Sequence, residues 1–456
     1  MAEYSEFNRE VQDRVLELAR TDQGAAAELI SHARPEDIAE WLTNLDRRQR
    51  QEIFLLASPE LQGDILEDIS PSDQADLVEF LEPERLGDIL ETMPPEEAAE
   101  IIAELEPGDT PEILDEIPTK ELREIREVLS YPENSAGRIM DTDLIAVESA
   151  LPVSQAIQRI RGSTIEETLY SVFVIDPKGK LLGMVPLKNL LLAPGSALLD
   201  QVMEEAFVSI KPTADQEEAA RLVKKYDLAV LPVVDEQNRL VGRITADDIL
   251  DVIDEEASED ILKMAGTDDE EFRAVSPLRI ARIRLPWLLI CIVGSFFSGL
   301  VIRSFEVTLE RVIALVAFIP MITATGGNVG LQSSSIIIRA LALGILRPSR
   351  VLEEVLRQMK VALLLGLSCG GILAAVAYLL EFGQDQGIFM GSVVGLAMFL
   401  AVSFSTLSGV LIPLFFNKLR IDPAVVSGPL ITTLNDVLGI SIYLGSATVM
   451  IKLFLS

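Results

Sequence analysis

The chain has 456 residues, enough for several domains, with 71 acidic residues against 38 basic ones. The excess is one-sided: residues 1–276 carry 25 Lys and Arg against 63 Asp and Glu, a net of −38, while residues 277–456 carry 13 against 8, a net of +5. Such acidity argues against nucleic acid as a partner, because phosphate contacts need basic side chains, and suits either attraction of cations or solubility alone.

The polar, acidic start carries no signal-peptide pattern. Downstream, prolines recur at Pro59, Pro71, Pro83, Pro95, Pro107 and Pro118, spaced by 12, 12, 12, 12 and 11 residues. Each interval predicts a short helix with proline in its first turn and acids just after it. A fixed period predicts stacked helical repeats, and Pro35, two periods before Pro59, extends the array upstream. His32 is expected on a helix surface there, which argues against His-ligated zinc.

A longer, degenerate repeat follows. Asp176, Gly183 and Leu190 recur as Asp235, Gly242 and Ile249 at a shift of 59, and Met140 pairs with Met203 at a shift of 63. Each copy reads strand, helix, strand, turn, strand, helix. This resembles a tandem pair of CBS domains, a regulatory module that often binds adenine nucleotides. Gly242, Thr245 and Asp248 match the nucleotide-binding signature of such domains, whereas Pro186 and Asn189 stand at the corresponding places of the first copy.

Residues 247–272 then predict one acid-laden helix, with Asp251, Asp254, Glu255, Glu256, Glu259 and Asp260 beside an apolar face of Ile249, Val252, Ile253, Ile261 and Leu262. Like charges at i,i+4, such as Asp251 with Glu255, destabilise an isolated helix, and bound cations relieve them. A ligand-free acidic linker helix is the plainer alternative.

Five apolar stretches, near 285–302, 312–338, 361–380, 388–416 and 424–451, are each long enough to span a bilayer. Cys291 and Cys369 lie in such stretches, so neither a disulfide framework nor a thiolate metal site is indicated. Basic residues set the orientation. Arg279, Arg282 and Arg284, then Arg339, Arg347, Arg350, Arg357 and Lys360, then Lys418 and Arg420 mark the cytoplasmic side. The other links hold Arg303, Glu306, Glu310 and Arg311, and then Glu381 and Asp385. The acidic half is therefore expected in the cytoplasm and the C-terminus outside.

The second stretch carries Pro320, Gly326, Gly327, Asn328, Gly330 and Gln332, a set that predicts locally broken helix hydrogen bonding or, alternatively, close helix approach. In the fifth, Pro429 is expected to free a carbonyl near Val425, and Thr432 and Asp436 share a face that Thr433 borders. Asp436 is the lone carboxylate between Val425 and Leu455. A carboxylate at that depth marks ion transport or a proton relay, and the oxygen-only surroundings suit a hard cation.

Together the Gly-Gly-Asn-x-Gly-x-Gln run, the Asp-Pro-Ala…Thr-Thr-x-x-Asp run, the five spans, the CBS pair and the acidic helical segment resemble the MgtE family of magnesium channels. The resemblance implies a multidomain fold: a superhelical α-helical N domain (1–131), α/β CBS domains (132–200 and 201–248), an acidic connecting helix (249–276) and an all-α pore domain of five helices (277–456). It implies a homodimer in the lipid bilayer of the cell membrane, with Asp436 of both copies at the selectivity site and Thr432, Thr433, Gly326, Gly327 and Asn328 around it. It implies regulatory Mg2+ bound at Glu259, Asp260 and Asp422 near the mouth, at Asp248, Asp251, Glu256, Glu217 and Asp227 around the CBS pair, and at Glu96 and Glu100 in the N domain. ATP or another adenine nucleotide is the second implied ligand, and Asp248 serves either it or metal. The alternatives are transport of another divalent ion such as Co2+, or a membrane-anchored sensor without transport. No nucleophile–base pair argues for an enzyme.

Overall fold

The computed structural model describes residues 2–105, 110–163, 169–205, 208–273, 276–346, 350–380, 387–419, 421–426 and 428–454. Pro107, Arg347, Glu381, Asp385 and Arg420 lie outside the described residues. The chain divides into one unit of residues 1–255 with 272–275 and another of residues 256–271 with 276–456.

The first unit opens with a helical array: α1 (Ala2–Thr21), α2 (Gln23–Ile30), α3 (Pro35–Thr43), α4 (Arg47–Phe54), α5 (Pro59–Asp68), α6 (Pro71–Phe80), α7 (Pro83–Thr92), α8 (Pro95–Glu104), α9 (Thr110–Glu116) and α10 (Thr119–Leu129). The repeating proline is the first residue of α5, α6, α7 and α8, where its missing N–H costs no intrahelical bond. Ser58 and Ser70 accept from the Leu61 and Asp73 amides and cap α5 and α6. Each helix packs on the next but one, α3 on α5, α5 on α7 and α7 on α9. Ile38, Leu42, Phe54, Ile65, Leu66, Leu77, Leu86, Ile89 and Leu90 fill the shared core.

The period also repeats a polar contact. Arg50 Nε donates to the Leu42 carbonyl (3.1 Å), Gln62 Nε2 to that of Phe54 (2.6 Å) and Gln74 Nε2 to that of Leu66 (2.8 Å). Each side chain bonds a carbonyl near the end of the preceding helix, and those of Leu42 and Phe54 also accept from the Leu45 and Ala57 amides.

The CBS region follows as β1 (Ala146–Glu148), α11 (Val153–Arg161), β2 (Ser171–Ile175), β3 (Leu181–Pro186), α12 (Leu187–Leu192), α13 (Leu199–Val202), β4 (Glu204–Glu205), α14 (Gln216–Tyr226), β5 (Val230–Val234), β6 (Leu240–Thr245) and α15 (Ala246–Ala265). β1 runs parallel to β2, which pairs antiparallel with β3 (Val172 opposite Val185), and β5 pairs antiparallel with β6 (Leu231 opposite Ile244). Of the opening strand expected in the second copy, the described residues show one parallel bridge, Ile210 with Val233.

The repeated residues have structural causes. Asp176 Oδ1 accepts from the Lys178 and Lys180 amides, both at 2.8 Å, and Asp235 Oδ1 from those of Gln237 (2.9 Å) and Arg239 (2.8 Å). These amides close the two hairpin turns and hold both carboxyls below their ordinary range. A Cβ on Gly183 would lie 2.4 Å from the Glu204 carbonyl oxygen, and one on Gly242 would lie 2.7 Å from Met140 Sδ, so neighbouring chain crosses both glycines too closely for a side chain.

The expected single helix over 247–272 is interrupted. α15 stops at Ala265 because Gly266 takes φ +81°, with the Thr267 amide bonded to the Leu262 carbonyl (3.0 Å) and the Gly266 amide to that of Lys263 (3.1 Å). This is a Schellman end, and α16 (Glu270–Arg273) follows it.

In the second unit, α17 (Pro277–Ser304), α18 (Glu306–Arg311), a 3₁₀ turn (Ile313–Phe318), α19 (Ile319–Ala342), α20 (Val351–Leu380), α21 (Gly387–Lys418), a 3₁₀ turn (Ala424–Val426) and α22 (Gly428–Phe454) complete the chain. Among the described residues five helical segments are long and apolar enough to cross a membrane. α19, α21 and α22 pack on one another, while α20 lies against α21 and α17 against α22. Tyr443, fully buried, donates from its hydroxyl to the Leu315 carbonyl (2.8 Å) and ties α22 to the first 3₁₀ turn.

Two backbone expectations are corrected here. Helix α19 runs unbroken through Gly326, Gly327 and Gly330, and its irregular segment is the 3₁₀ turn before Pro320. Pro429 stands in the first turn of α22, where its missing N–H costs no helical bond, so no carbonyl is freed near Val425.

Candidate functional site

The glycines of α19 work by close approach. A Cβ on Gly327 would lie 3.2 Å from Thr432 Cγ2 and 3.8 Å from Asp436 Oδ1, so α22 presents Thr432 and Asp436 to Gly327. Asp436 is half-buried and has no hydrogen-bond or ion-pair partner among the described residues. Thr432 Oγ1 donates back to the Gly428 carbonyl (3.0 Å), which leaves its lone pairs as acceptors.

Of the other residues expected around Asp436, Gly326 and Thr433 face other helices. Gly326 faces Ser405 on α21, where a Cβ would meet Oγ at 3.1 Å. Thr433 packs on α17, where a Cβ on Gly294 would fall 1.5 Å from its Cγ2. Asn328 and Gln332, one turn apart on α19, are both exposed. An exposed amide face on a membrane-crossing helix calls for water or protein against it.

At the start of α22 lies a charged knot. Lys263 Nζ is 2.5 Å from Glu259 Oε1 and 3.0 Å from Asp422 Oδ2, and Asp422 Oδ1 accepts from the Ala424 amide (2.8 Å). Burial alone would lower the Lys263 pKa, but the hydrogen bonds to both carboxylates outweigh it and hold the ammonium above the ordinary lysine range. Burial, then the charge of Asp422, raises the Asp260 carboxyl. Nearby, Gly266 rests on Pro429, where a Cβ would come 2.8 Å from Cγ, and Met264 O would meet a Cβ on Gly428 at 2.0 Å.

The first unit holds a separate acid field. Half-buried Glu97 is pushed up to about 8, first by burial and then by the charges of Glu67, Glu100, Asp248 and Asp251. Glu67, whose side chain still reaches solvent, is pushed up to about 7 by partial burial and by Asp68, Asp64, Asp251 and Asp248. Burial also raises Asp248 and Asp251. Glu96 is half-buried and Glu100 exposed, both on α8. Glu217 and Asp227 stand at opposite ends of α14, about 15 Å apart along its axis. Half-buried Glu256 belongs to the second unit.

Among the described residues no three His, Cys, Asp or Glu side chains form a direct ligand cluster. Like-charged carboxyls with raised pKa values nevertheless fit a cation held through its own water shell, as Mg2+ prefers. For a nucleotide, Gly242 lies beneath Met140, and Thr245, 4% exposed, donates its amide to Asp248 Oδ2 (2.7 Å) at the start of α15. That bond is half of a capping box, so Asp248 already serves the helix end.

Sequence reading missed Glu67, Glu97 and Lys263. The signal for Lys263 was present: it is the lone base between Arg243 and Arg273, four residues after Glu259. Glu67 and Glu97 gave none, since their proximity to Asp248 and Asp251 is tertiary.

A helical array, a CBS pair and five apolar helices with an unpaired carboxylate among them define a multi-pass membrane protein of the cation-transporting class. Family models match accordingly: the MgtE intracellular N domain over residues 33–134, the CBS domain over 136–195 and 199–255, and the MgtE divalent cation transporter over 319–446. The magnesium transporter MgtE of Thermus thermophilus is 37% identical over 331 residues, covering 72% of each chain, and that of Bacillus subtilis is 34% identical over 328 residues, again 72% of each. A crystal structure of the soluble part of a magnesium transporter superposes with a TM-score of 0.50 at 26% identity, covering 55% of this chain and 99% of the other. The chain belongs to the MgtE family of magnesium transporters.

Proposed function

We propose that this protein is a Mg2+-selective, channel-like importer of the cell membrane, closed by internal Mg2+ acting on its cytosolic acids. The observation that carries the reading is Asp436, an unpartnered carboxylate in a membrane-crossing helix, set against a glycine of α19. Two copies of the chain pair so that Asp436 of each, with Thr432 and the exposed Asn328 face, borders one path. Two facing carboxylates repel without an ion and favour a divalent over a monovalent occupant. Mg2+ dehydrates reluctantly, so the carboxylates hold it through its waters.

The basic residues of the alternate links support a cytoplasmic N-terminal half and an external C-terminus. Internal Mg2+ binds Glu259, Asp260 and Asp422 at the mouth, and Asp248, Asp251, Glu256, Asp227, Glu217, Glu96 and Glu100 beyond it. It favours the closed state by its higher affinity for that state. ATP or another adenine nucleotide binds the second CBS copy at Gly242, Thr245 and Asp248, and there competes with the capping role of Asp248.

The test is Mg2+ flux into proteoliposomes by the intact protein and by Asp436→Ala. Flux reduced to that of empty vesicles supports the reading, and unchanged flux removes Asp436 from the mechanism. Preferential passage of Co2+ over Mg2+ by the intact protein would reassign the cargo.

A further inference from the structure

Asp436 has a neighbour whose side chain is fixed from three directions. Asn435 is 1% exposed. Its Oδ1 lies 2.6 Å from Ser408 Oγ on α21, a hydroxyl whose one proton is shared between Asn435 and the Ser405 carbonyl (2.9 Å), and its Nδ2 has no hydrogen-bond partner. That amide presses on α19, where a Cβ on Gly330 would lie 1.9 Å from Nδ2. At the same level α19 and α21 touch through backbone, since a Cβ on Gly409 would lie 2.4 Å from the Gly330 carbonyl oxygen. Asn435 therefore fills the junction of three helices, in a gap that only glycine at 330 leaves open.

An amide there is a costly choice for packing alone. A buried donor without a partner costs about 1–3 kcal/mol, and an aliphatic residue of similar size would avoid that penalty. What the amide adds is direction. Ile431, one turn earlier on the same side, also packs on Gly330 (3.4 Å from the Cβ position), but apolar contact tolerates rotation of a helix about its axis. The Asn435–Ser408 bond does not.

We propose that Asn435 is a positioning residue for the ion path: its bond to Ser408 and its fit against Gly330 fix the rotation of α22 and thereby aim Asp436 at the Gly327 face. This rests on the reading of Asp436 as the ion-binding carboxylate. Successive helical side chains are about 100° apart, so a residue locked inward at 435 sets the bearing of 436. A carboxylate about 5–6 Å from the axis moves about 2 Å when its helix turns by about 20°. A hydrated octahedral ion held between two such groups does not tolerate that displacement.

The test uses full-length Asn435→Leu, Asn435→Ser and Ser408→Ala, and the exchange Asn435→Ser with Ser408→Asn, reconstituted in proteoliposomes. Asn435→Leu keeps the branched heavy-atom skeleton, at somewhat greater volume, and removes direction. It is expected to raise the half-saturating Mg2+ concentration about tenfold and to lower the Mg2+/Ca2+ flux ratio, the scale that misplacement of a binding group produces. Ser408→Ala should shift both readouts the same way, and the exchange should recover them relative to Asn435→Ser. Unchanged half-saturation and ion ratio in Asn435→Leu, or a fall in maximal flux alone, would overturn the proposal. If Asn435→Leu does not fold, Ser408→Ala and the exchange decide on the same criteria. Asp436→Ala, run in parallel, separates the two readings: inactive Asp436→Ala with normal Asn435 variants sinks only the positioning role.

Discussion

Lys263 Nζ lies 3.0 Å from Asp422 Oδ2, so an ammonium of the protein itself occupies the space between two carboxylates at the foot of α22. The family resemblance points to a divalent ion among these same acids. Lysine and Mg2+ are then rivals for Glu259 and Asp422. Replacing Lys263 with Met removes the rival, and the internal Mg2+ needed for half-closure should fall. A partly exposed pair of this kind contributes about 1 kcal/mol, which corresponds to about fivefold in concentration. Flux recorded against internal Mg2+ in reconstituted vesicles measures it, and an unchanged or higher half-closing concentration would refute the rivalry.

The acid field of the first unit predicts a pH dependence. For Glu97 the folded-state pKa, about 8, stands above the ordinary 4.5. The folded form therefore binds more protons than the unfolded one between those values, and stability must fall as pH rises through that window. Glu67, at about 7, acts in the same direction. In metal-free buffer the helical array should melt at a lower temperature at pH 8.5 than at pH 6, with Glu97→Gln flattening the difference. Calorimetry of the intact protein in detergent checks it, and a melting point that climbs with pH would contradict the assignment.

Close packing of the membrane helices predicts which glycines tolerate a methyl group. Gly409→Ala drives Cβ toward the backbone of Gly330, at 2.4 Å, whereas Gly371 has nothing within 4 Å of the added atom. The first substitution should destabilise by about 1–3 kcal/mol and the second by almost nothing. Thermal unfolding in one detergent compares them directly, and equal midpoints would show that the α19–α21 contact yields easily.

A buried ion pair supplies a fourth expectation. Arg243 Nε is 2.6 Å from Asp141 Oδ2, with Arg243 3% and Asp141 5% exposed. Asp141→Asn removes the charge facing a buried guanidinium and should cost about 3–5 kcal/mol, most of it in the CBS region. Hydrogen exchange across residues 136–145 and 230–245 would locate the loss, and native-like protection there would mean that the pair is dispensable.

Much of this fold is legible in the sequence. The twelve-residue proline period states the helix starts outright, because proline at N1 is a local rule. Asp176 and Asp235 were visible as a repeat, although their role proved to be turn closure. Gly242 and Asp248, which match a nucleotide signature, also answer to a crossing chain and a helix cap. The glycine-rich stretch of α19 misled in one respect, since glycine there serves helix contact and leaves the hydrogen bonding of its own helix intact. Asn435 and Glu97 were illegible for a common reason: their meaning depends on Gly330, Ser408 and Asp251, which only folding brings near.

On the gating proposed above, the reversal at Gly266 marks where mechanical work would arrive. The chain leaving the acid-rich helix turns directly on Pro429, and Pro429 stands two helical turns below Asp436 on one uninterrupted rod. A tilt of residues 256–265 would then bear on the base of that rod through this contact, like a crank on its shaft. Force applied there by bound ions would, on that reading, reach the carboxylate as rotation or lift of α22.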